Sequence, residues 1–147
     1  MEYANEWVYW VKIKSLYLLI MLVLPNFAFA MPATVGYVFD GDTFAAVVHM
    51  DKNTNVDVRV RLINVDTPEM NGKCESEKQR ANAARNRLMA LIPVGSVVEL
   101  KNIKDDKYSG RIDANVILPD GRDVGRILIN EKLGRAYSGG RRAGWCE

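Results

Sequence analysis

The clearest pattern in the chain is the alternation of aliphatic and polar residues between Val56 and Leu62. Every second residue of this run is aliphatic, and Arg59 and Arg61 fall at intervening positions. A period of two places the aliphatic side chains on one face of a strand and both arginines on the other. Shorter β-prone runs predict four further strands, at residues 34–39, 44–48, 96–101 and 112–118.

Two segments have the period of a helix instead. The first runs from Glu75 to Ile92, carries negative charge in its first turn, where the helix dipole favours it, and is ended by Pro93. The second is predicted for residues 124–132, with Asp123 as its N-terminal cap. The predicted apolar face of the first helix comprises Ala81, Ala84, Leu88 and Leu91.

Five strands, with one helix after the third and another after the fifth, predict an α+β domain. The number and order of these elements fit a small five-stranded β-barrel of the oligonucleotide-binding type, with two to three helices packed on it. Two connections are predicted to be loops: a polar hairpin loop at residues 51–57, and an exposed, charged connection at residues 105–111.

The loop at residues 51–57 looks at first like the start of a calcium-binding helix–loop–helix site. Val56 stands where such a loop needs glycine, and Leu62 stands where it needs glutamate. Strand patterns also lie on both sides, where helices would be required. We therefore interpret this segment as a hairpin loop without a metal.

The first thirty of the 147 residues have the pattern of a signal peptide. Lys12 and Lys14 precede an apolar run at residues 16–24, and small residues follow at positions 28 and 30. We predict cleavage after Ala30, which leaves one mature domain at residues 31–147 in a protein that is exported to a periplasm or secreted. The alternative is an uncleaved anchor, but the lysines interrupt the apolar residues, and a spanning helix needs about 20 of them.

The net charge of +2 is unchanged by removal of residues 1–30 and says little about partners. The distribution of charge is more informative, because Arg135, Arg141 and Arg142 lie near Tyr137 and Trp145. Such a basic, aromatic tail suits phosphates and stacked bases. The alternative is a solvated C-terminus without a partner.

The two cysteines, Cys74 and Cys146, favour a disulfide, because an even cysteine count in an exported chain makes pairing the usual outcome. Two free thiols are the alternative. Two sulfurs and the distant His49 do not make a zinc site.

Charged residues at predicted strand ends and turns carry the candidate chemistry. Asp42 and Asp66 offer hard oxygen ligands suited to Ca²⁺. Arg61 and Arg111 can grip the oxygens of a phosphodiester and stabilise the extra charge of its transition state. Glu69 can orient or deprotonate water. Together these groups indicate phosphodiester hydrolysis.

Three blocks of sequence hold these residues: Asp40 to Thr43, Arg61 to Glu69, and Asp106 to Arg111. In order and approximate spacing they resemble the three signature blocks of the staphylococcal nuclease, or thermonuclease, family. The resemblance covers about residues 35–137. It implies a five-stranded oligonucleotide-binding barrel and Ca²⁺-dependent cleavage of DNA and RNA that leaves 3′-phosphate ends.

The resemblance also implies roles around the metal. Asp42 and Asp66 match the carboxylate ligands of Ca²⁺, and Thr67 matches the residue that adds a carbonyl ligand. Glu69 matches the residue that serves the attacking water, either as a general base or as a positioning group.

For the substrate, the resemblance assigns Arg61 and Arg111 to the scissile phosphate, with Arg111 also favouring departure of the leaving oxygen. Lys107 and Tyr108 match residues that contact a terminal phosphate, and Tyr137 matches a position that supplies base stacking.

Two features depart from the staphylococcal pattern. Ser109 adds one residue between Tyr108 and the following Gly-Arg pair, so either a longer loop still delivers Arg111, or Lys107 and Tyr108 are displaced. The tail instead resembles exported bacterial relatives that end in a Gly-Gly, basic, Trp-Cys pattern. Membership of that subgroup supports pairing of the two cysteines.

Three hypotheses follow from the sequence. The first is an exported nuclease with little sequence preference, because arginines directed at phosphates do not read base edges. We expect it to act as a monomer with no stable protein partner and no membrane span in the mature chain. The second is a noncatalytic nucleic-acid-binding barrel, and the third is a structural envelope protein whose carboxylates are surface groups.

Overall fold

A computed structural model describes residues 29–146. The predicted signal peptide therefore lies outside the described residues, except for Phe29 and Ala30. The elements, in chain order, are β1 (Met31–Val38), β2 (Thr43–His49), β3 (Asn55–Leu62), β4 (Val65–Asp66), α1 (Glu75–Leu91), β5 (Val97–Asp105), β6 (Arg111–Ile117), α2 (Val124–Asn130) and β7 (Arg135–Ala136).

Five of the strands close into a barrel in the order β1-β2-β3-β6-β5. Neighbouring strands are antiparallel except for β3 and β6, which run parallel, and β1 completes the circle by pairing with β5. The short strands β4 and β7 form a separate antiparallel pair. The predicted α+β class, with a five-stranded barrel of the oligonucleotide-binding type and packed helices, is confirmed.

The barrel interior is filled by aliphatic residues, with Phe44 as its largest aromatic side chain. In β3 the predicted alternation holds for Val60 and Leu62, which are buried. It fails for Val56, which is 38 % exposed, because the residues beside the hairpin loop extend past the core. The aliphatic face of β3 therefore packs from Val58, which is partly buried, to Leu62.

Several predicted boundaries were wrong. β1 begins at Met31 instead of residue 34, because its first residues pair with β5. β5 continues past Lys101 to Asp105 through an irregularity at which Asn102 adopts a φ of 52°. The predicted loop at residues 105–111 is correspondingly shorter. β4 and β7 were not predicted, since two residues carry no periodicity.

Both predicted helices are present. α1 ends at Leu91, one residue before the prediction, and buries Ala81, Ala84 and Leu88. α2 ends at Asn130 instead of residue 132. As predicted, the side chain of Asp123 caps it by accepting a hydrogen bond from the backbone N–H of Arg126. Within residues 29–146, no helix combines the length and apolar character needed to cross a bilayer.

A disulfide joins Cys74, the residue before α1, to Cys146 in the C-terminal tail. Glu77 lies beside both sulfurs, so the three residues resemble a metal cluster in outline. The cysteines share a covalent bond, however, and neither is a thiolate that could bind a metal.

We expect loss of this disulfide to destabilise the domain. The two cysteines are 72 residues apart, and a loop of that size restricts the unfolded chain by about 4 kcal/mol in the chain-entropy treatment. Urea unfolding of the Cys74→Ser/Cys146→Ser double variant should give a free energy of unfolding lower by about 2–4 kcal/mol. Wild-type protein treated with reductant is the matched comparison, and equal stability of all three samples would contradict the prediction.

Candidate active site

The turn between β1 and β2 buries a carboxylate at one end of the barrel. Asp42 is only 6 % exposed, and its Oδ1 accepts a hydrogen bond of 2.9 Å from the hydroxyl of Thr43. The backbone N–H of Asp42 donates to Oδ1 of Asp40 at 3.0 Å. Gly41 permits a close approach, since a Cβ there would lie 2.9 Å from Oγ1 of Thr67. The turn therefore packs against the segment that carries the second predicted carboxylate.

Arg61 lies beside the first carboxylate because β3 pairs with β2 and places it opposite Thr43. Its Nη2 lies 3.4 Å from Oδ2 of Asp42 and 3.4 Å from the carbonyl oxygen of Val65. The arginine thus bridges the two segments that supply the predicted metal ligands.

Asp66 is almost fully enclosed, with 1 % exposure. The β4–β7 pair places it opposite Arg135, whose Nε donates to Oδ2 of Asp66 at 3.0 Å. Nε of Arg142 lies 3.3 Å from Oδ1, but without the geometry of a hydrogen bond. Oδ1 consequently has no hydrogen-bond partner among the described residues, which is unusual for a buried carboxylate oxygen.

Glu69 lies on the exposed loop between β4 and α1. Its side chain forms an ion pair with Arg142. The loop is held from beneath by the buried Glu77, which accepts hydrogen bonds from the backbone N–H groups of Glu69 at 3.4 Å and Lys73 at 2.9 Å. Thr67, also buried, separates Asp66 from this loop. The carboxylate of Glu69 is therefore presented to solvent from an anchored backbone.

The C-terminal tail, residues 137–146, packs beside Asp66 and Glu69. The guanidinium of Arg135 lies 4.0 Å from the centre of the Trp145 ring and donates to the carbonyl oxygens of Ala143 and, at 3.1 Å, Gly144. The disulfide fixes the end of the tail. Sequence reasoning found the basic, aromatic composition of this tail but not its contacts with the carboxylates.

Arg142 is the tail residue closest to the acidic groups. Partial burial alone would lower the pKa of its guanidinium, but attraction to Asp66, Glu69 and Asp42 raises the pKa overall. Arg142 therefore acts as a counter-ion to all three carboxylates. A solvated C-terminus without a partner, the alternative raised by the sequence, would leave this guanidinium in solvent.

Arg111 begins β6 at the other side of the site. Its Nε donates to Oδ2 of Asp106 at 2.5 Å, and its guanidinium lies 4.5 Å from the centre of the Tyr108 ring. Burial opposes ionisation of Asp106, yet its bond to Arg111 lowers the pKa of the carboxyl. Ser109 and Gly110 form a turn in which Gly110 has a φ of 75°. Ser109, the additional residue, lies in this turn, and the Arg111 guanidinium remains in contact with the Tyr108 ring.

The remaining predicted substrate residues lie on two sides of the site. Lys107 has its Nζ 4.9 Å from the centre of the exposed Tyr108 ring. Tyr137 belongs to the tail, where its hydroxyl donates to the carbonyl oxygen of Gly140 at 2.6 Å and Arg142 lies over its ring. The structure therefore places Lys107 and Arg111 over the Tyr108 ring, and Tyr137 against Arg142.

Asp113 was missed by the sequence reasoning. The parallel β3–β6 pairing places it opposite Arg61, two residues after Arg111. Burial, followed by the charge of Asp106, raises the pKa of Asp113. The period-two pattern of β6 could have placed it on the face of Arg111. Asp113 lies on the barrel surface close to both predicted phosphate-binding arginines, Arg61 and Arg111.

The three carboxylates of the site each lie within ion-pair distance of an arginine. Burial, aided by the charge of Asp40, raises the pKa of Asp42 to about 7. The raised pKa indicates that the Asp42 carboxylate gains from a further positive charge, and Oδ1 of Asp66 lacks a hydrogen bond within residues 29–146. The donors are all oxygens, so the residues fit a hard cation such as Ca²⁺.

A family model described as staphylococcal nuclease homologue matches residues 59–143. The chain belongs to the staphylococcal nuclease family. The match includes Arg61, Asp66, Glu69 and Arg111, and the barrel adds Asp42 from the preceding strands. No curated protein gives a significant match. Membership in the staphylococcal nuclease family assigns the chain a nuclease-like or nucleic-acid-binding function, with nucleic acid as its substrate class.

The raised pKa of Asp42 predicts a specific pH dependence of stability in calcium-free buffer. An ordinary aspartate has a pKa of 3.8, whereas that of Asp42 is about 7, so between these values the folded chain keeps a proton that the unfolded chain has released. The stabilisation is complete below pH 4 and is lost as the pH rises through 7. We expect wild-type protein to lose about 2–4 kcal/mol over this window relative to Asp42→Asn.

The measurement is urea unfolding of both proteins at pH 4 to 8 in the presence of a chelator. Asparagine approximates the neutral carboxyl, so the difference between the two curves isolates Asp42 from other titrating groups. Parallel curves would show that Asp42 ionises as an ordinary aspartate.

Proposed function

We propose that the chain is a Ca²⁺-dependent nuclease that hydrolyses phosphodiester bonds of DNA and RNA with little sequence preference and leaves 3′-phosphate ends. The observation that carries this proposal is that Arg61 pairs with the buried Asp42 and also contacts the carbonyl oxygen of Val65, the residue before the buried Asp66. Membership in the staphylococcal nuclease family supports it.

Asp42 and Asp66 would hold the metal through their carboxylates, with the carbonyl oxygen of Thr67 as a further ligand. Bound Ca²⁺ would supply charge neutralisation for the phosphodiester and its transition state. The raised pKa of Asp42 supports the proposal, because it describes an acidic group whose charge is incompletely compensated. Oδ1 of Asp66, which has no hydrogen-bond partner within residues 29–146, supports it as an oxygen open to a ligand.

Arg61 and Arg111 would bind the non-bridging oxygens of the scissile phosphate. Each guanidinium is already oriented by a carboxylate, Arg61 by Asp42 and Arg111 by Asp106. Preorganised donors stabilise charge that develops in the transition state without reorganising during the reaction. Arg111 would also stabilise the departing 5′ oxygen.

Glu69 would handle the attacking water, by orienting it or by accepting its proton. The water oxygen forms the new bond to phosphorus while the bond from phosphorus to the 5′ oxygen breaks, which leaves the phosphate on the 3′ side. The exposure of the Glu69 side chain and the anchored backbone beneath it support this role.

Lys107 and Tyr108 would contact a neighbouring phosphate, and Tyr137 would stack on a base. Because most of these groups address the phosphate backbone, the proposed enzyme reads little sequence. We further propose export to a periplasm or the medium as a monomer. Residues 1–30 and the disulfide support this location, since disulfides persist in oxidising compartments.

The proposal predicts cleavage of single-stranded DNA and RNA by the mature chain in Ca²⁺ and none after chelation with EDTA. Arg61→Ala and Arg111→Ala should each lower kcat by about 10²-fold or more, as removal of one transition-state donor does. Glu69→Gln should retain binding and lose most turnover. Product ends can be assigned by mass spectrometry.

Arg122→Ala is the matched control, because that arginine pairs only with Asp120 at the surface. Folded wild-type protein that leaves both substrates intact in Ca²⁺ would refute the nuclease proposal. Binding without cleavage would then favour the noncatalytic barrel, and neither activity would favour the structural protein. A loss below about threefold for both arginine variants would contradict their assignment.

The proposal also predicts that Arg142 and Ca²⁺ compete for the carboxylate of Asp66. A cation that binds Asp66 must share or displace the charge of Arg142. Arg142→Ala should therefore raise Ca²⁺ affinity by about two- to tenfold, because a half-exposed ion pair contributes about 0.5–1.5 kcal/mol. Isothermal titration calorimetry measures the change, and Arg141→Ala is the matched neighbour. Weaker Ca²⁺ binding by Arg142→Ala would show that Arg142 positions the carboxylates instead of competing.

A further inference from the structure

A cluster of two aromatic and two basic side chains lies on the outer face of the barrel, beyond the residues assigned above. We call Tyr37, Phe39, Arg59 and Arg85 the aromatic platform. The Tyr37 and Phe39 rings meet edge to face with centres 5.2 Å apart. The guanidinium of Arg59 lies 4.7 Å from the centre of Phe39, and that of Arg85 lies 5.4 Å from the centre of Tyr37.

The two arginines of the platform differ from those of the active site. Arg61, Arg111 and Arg142 each face a carboxylate, whereas in residues 29–146 no carboxylate lies within ion-pair distance of Arg59 or Arg85. Their positive charges are compensated only by aromatic rings and backbone or hydroxyl oxygens. The platform therefore has charge available for an anionic ligand.

The platform is also held in place. Nε of Arg85 donates to the carbonyl oxygen of Val38 at 3.1 Å, and its Nη2 donates to the Tyr37 hydroxyl at 2.9 Å. Neither bond uses Nη1 of Arg85. Tyr37 is 59 % exposed, so its ring contributes little to the core and offers much of its surface to a ligand.

A trough of about 760 Å³ extends from the Phe39 and Arg59 part of the platform to Arg111. Phe39 and Arg59 line one part of it, and Tyr108 and Arg111 line another. Ala45 lies opposite Arg59 on β2, and its small side chain keeps the trough open. Asp57 also borders the trough, and Arg111 is paired with Asp106, so Arg59 is the lining arginine without an ion pair within residues 29–146.

We propose that the aromatic platform binds unpaired nucleotides of a single nucleic-acid strand next to the cleavage position. Bases stack on Tyr37 and Phe39, and the phosphates between them contact Arg59 and Arg85. A duplex does not present its base faces, whereas aromatic and guanidinium planes are the usual supports for splayed bases. This inference rests on the proposed function, and it assigns nucleotides that flank the cleaved bond to four residues outside the cleavage site.

The test is fluorescence anisotropy of a labelled 12-nucleotide oligothymidine in EDTA, where no turnover occurs. Phe39→Ala and Tyr37→Ala should each weaken binding by about fivefold or more, the effect of losing one stacked base. Arg59→Ala should weaken binding and reduce the slope of log affinity against log salt by about 0.7, the value for one phosphate contact on a single strand.

Arg126→Ala is the matched control, because Arg126 is exposed on α2, away from the trough. It should change neither the affinity nor the slope. Tyr37→Ala and Arg59→Ala remove exposed side chains, so they test the proposal even where Phe39→Ala lowers stability; thermal unfolding identifies such a loss. Unchanged affinity in folded Tyr37→Ala and Arg59→Ala would overturn the proposal.

A 12-base-pair duplex and a poly-glutamate competitor complete the experiment. Equal losses on duplex and single strand would overturn the stacking role, and platform-dependent binding of poly-glutamate at similar affinity would overturn the assignment to nucleic acid. Cleavage in Ca²⁺ is scored separately. Platform-dependent binding without cleavage would reject the nuclease and retain the platform, whereas cleavage unaffected by the platform variants, with unchanged binding, would reject the platform alone.

Discussion

The site depends on the compensation of buried negative charge. Asp42 and Asp66 are enclosed by the barrel end, and an ionised carboxylate in such surroundings is costly unless cations or hydrogen-bond donors face it. Arg61, Arg135 and Arg142 provide part of this compensation from three different segments. The carboxylates thereby determine where β3, β7 and the tail must meet, and the chemistry of the site follows from the same charges.

Two strand pairings and one disulfide position these charges. The parallel pairing of β3 with β6 brings the two phosphate-directed arginines onto one face, and the two-residue pair β4–β7 sets Asp66 against Arg135. The disulfide then ties the tail to the start of α1. Each contact joins segments distant in sequence, so the site is a property of the closed barrel.

The sequence predicted the barrel and its helices because long elements leave a periodic signal, and three charged blocks indicated the chemistry of the site. It did not predict the roles of Arg135, Arg142 and Asp113. Arg135 lies in a strand too short to show alternation, and Arg142 reaches the carboxylates only through the path of an irregular tail. Asp113 becomes significant only once β6 is known to pair with β3. Pairings between irregular segments have no local signature.

The parallel pairing of β3 and β6 also has a consequence for the order of folding. Parallel neighbours cannot be joined by a tight turn, and here α1 and β5 lie between them in the chain. Such nonlocal pairings form late and slowly. Until β3 and β6 pair, Arg61 and Arg111 do not lie on one face of the barrel. The topology itself therefore delays the assembly of any site that needs both arginines until folding is complete.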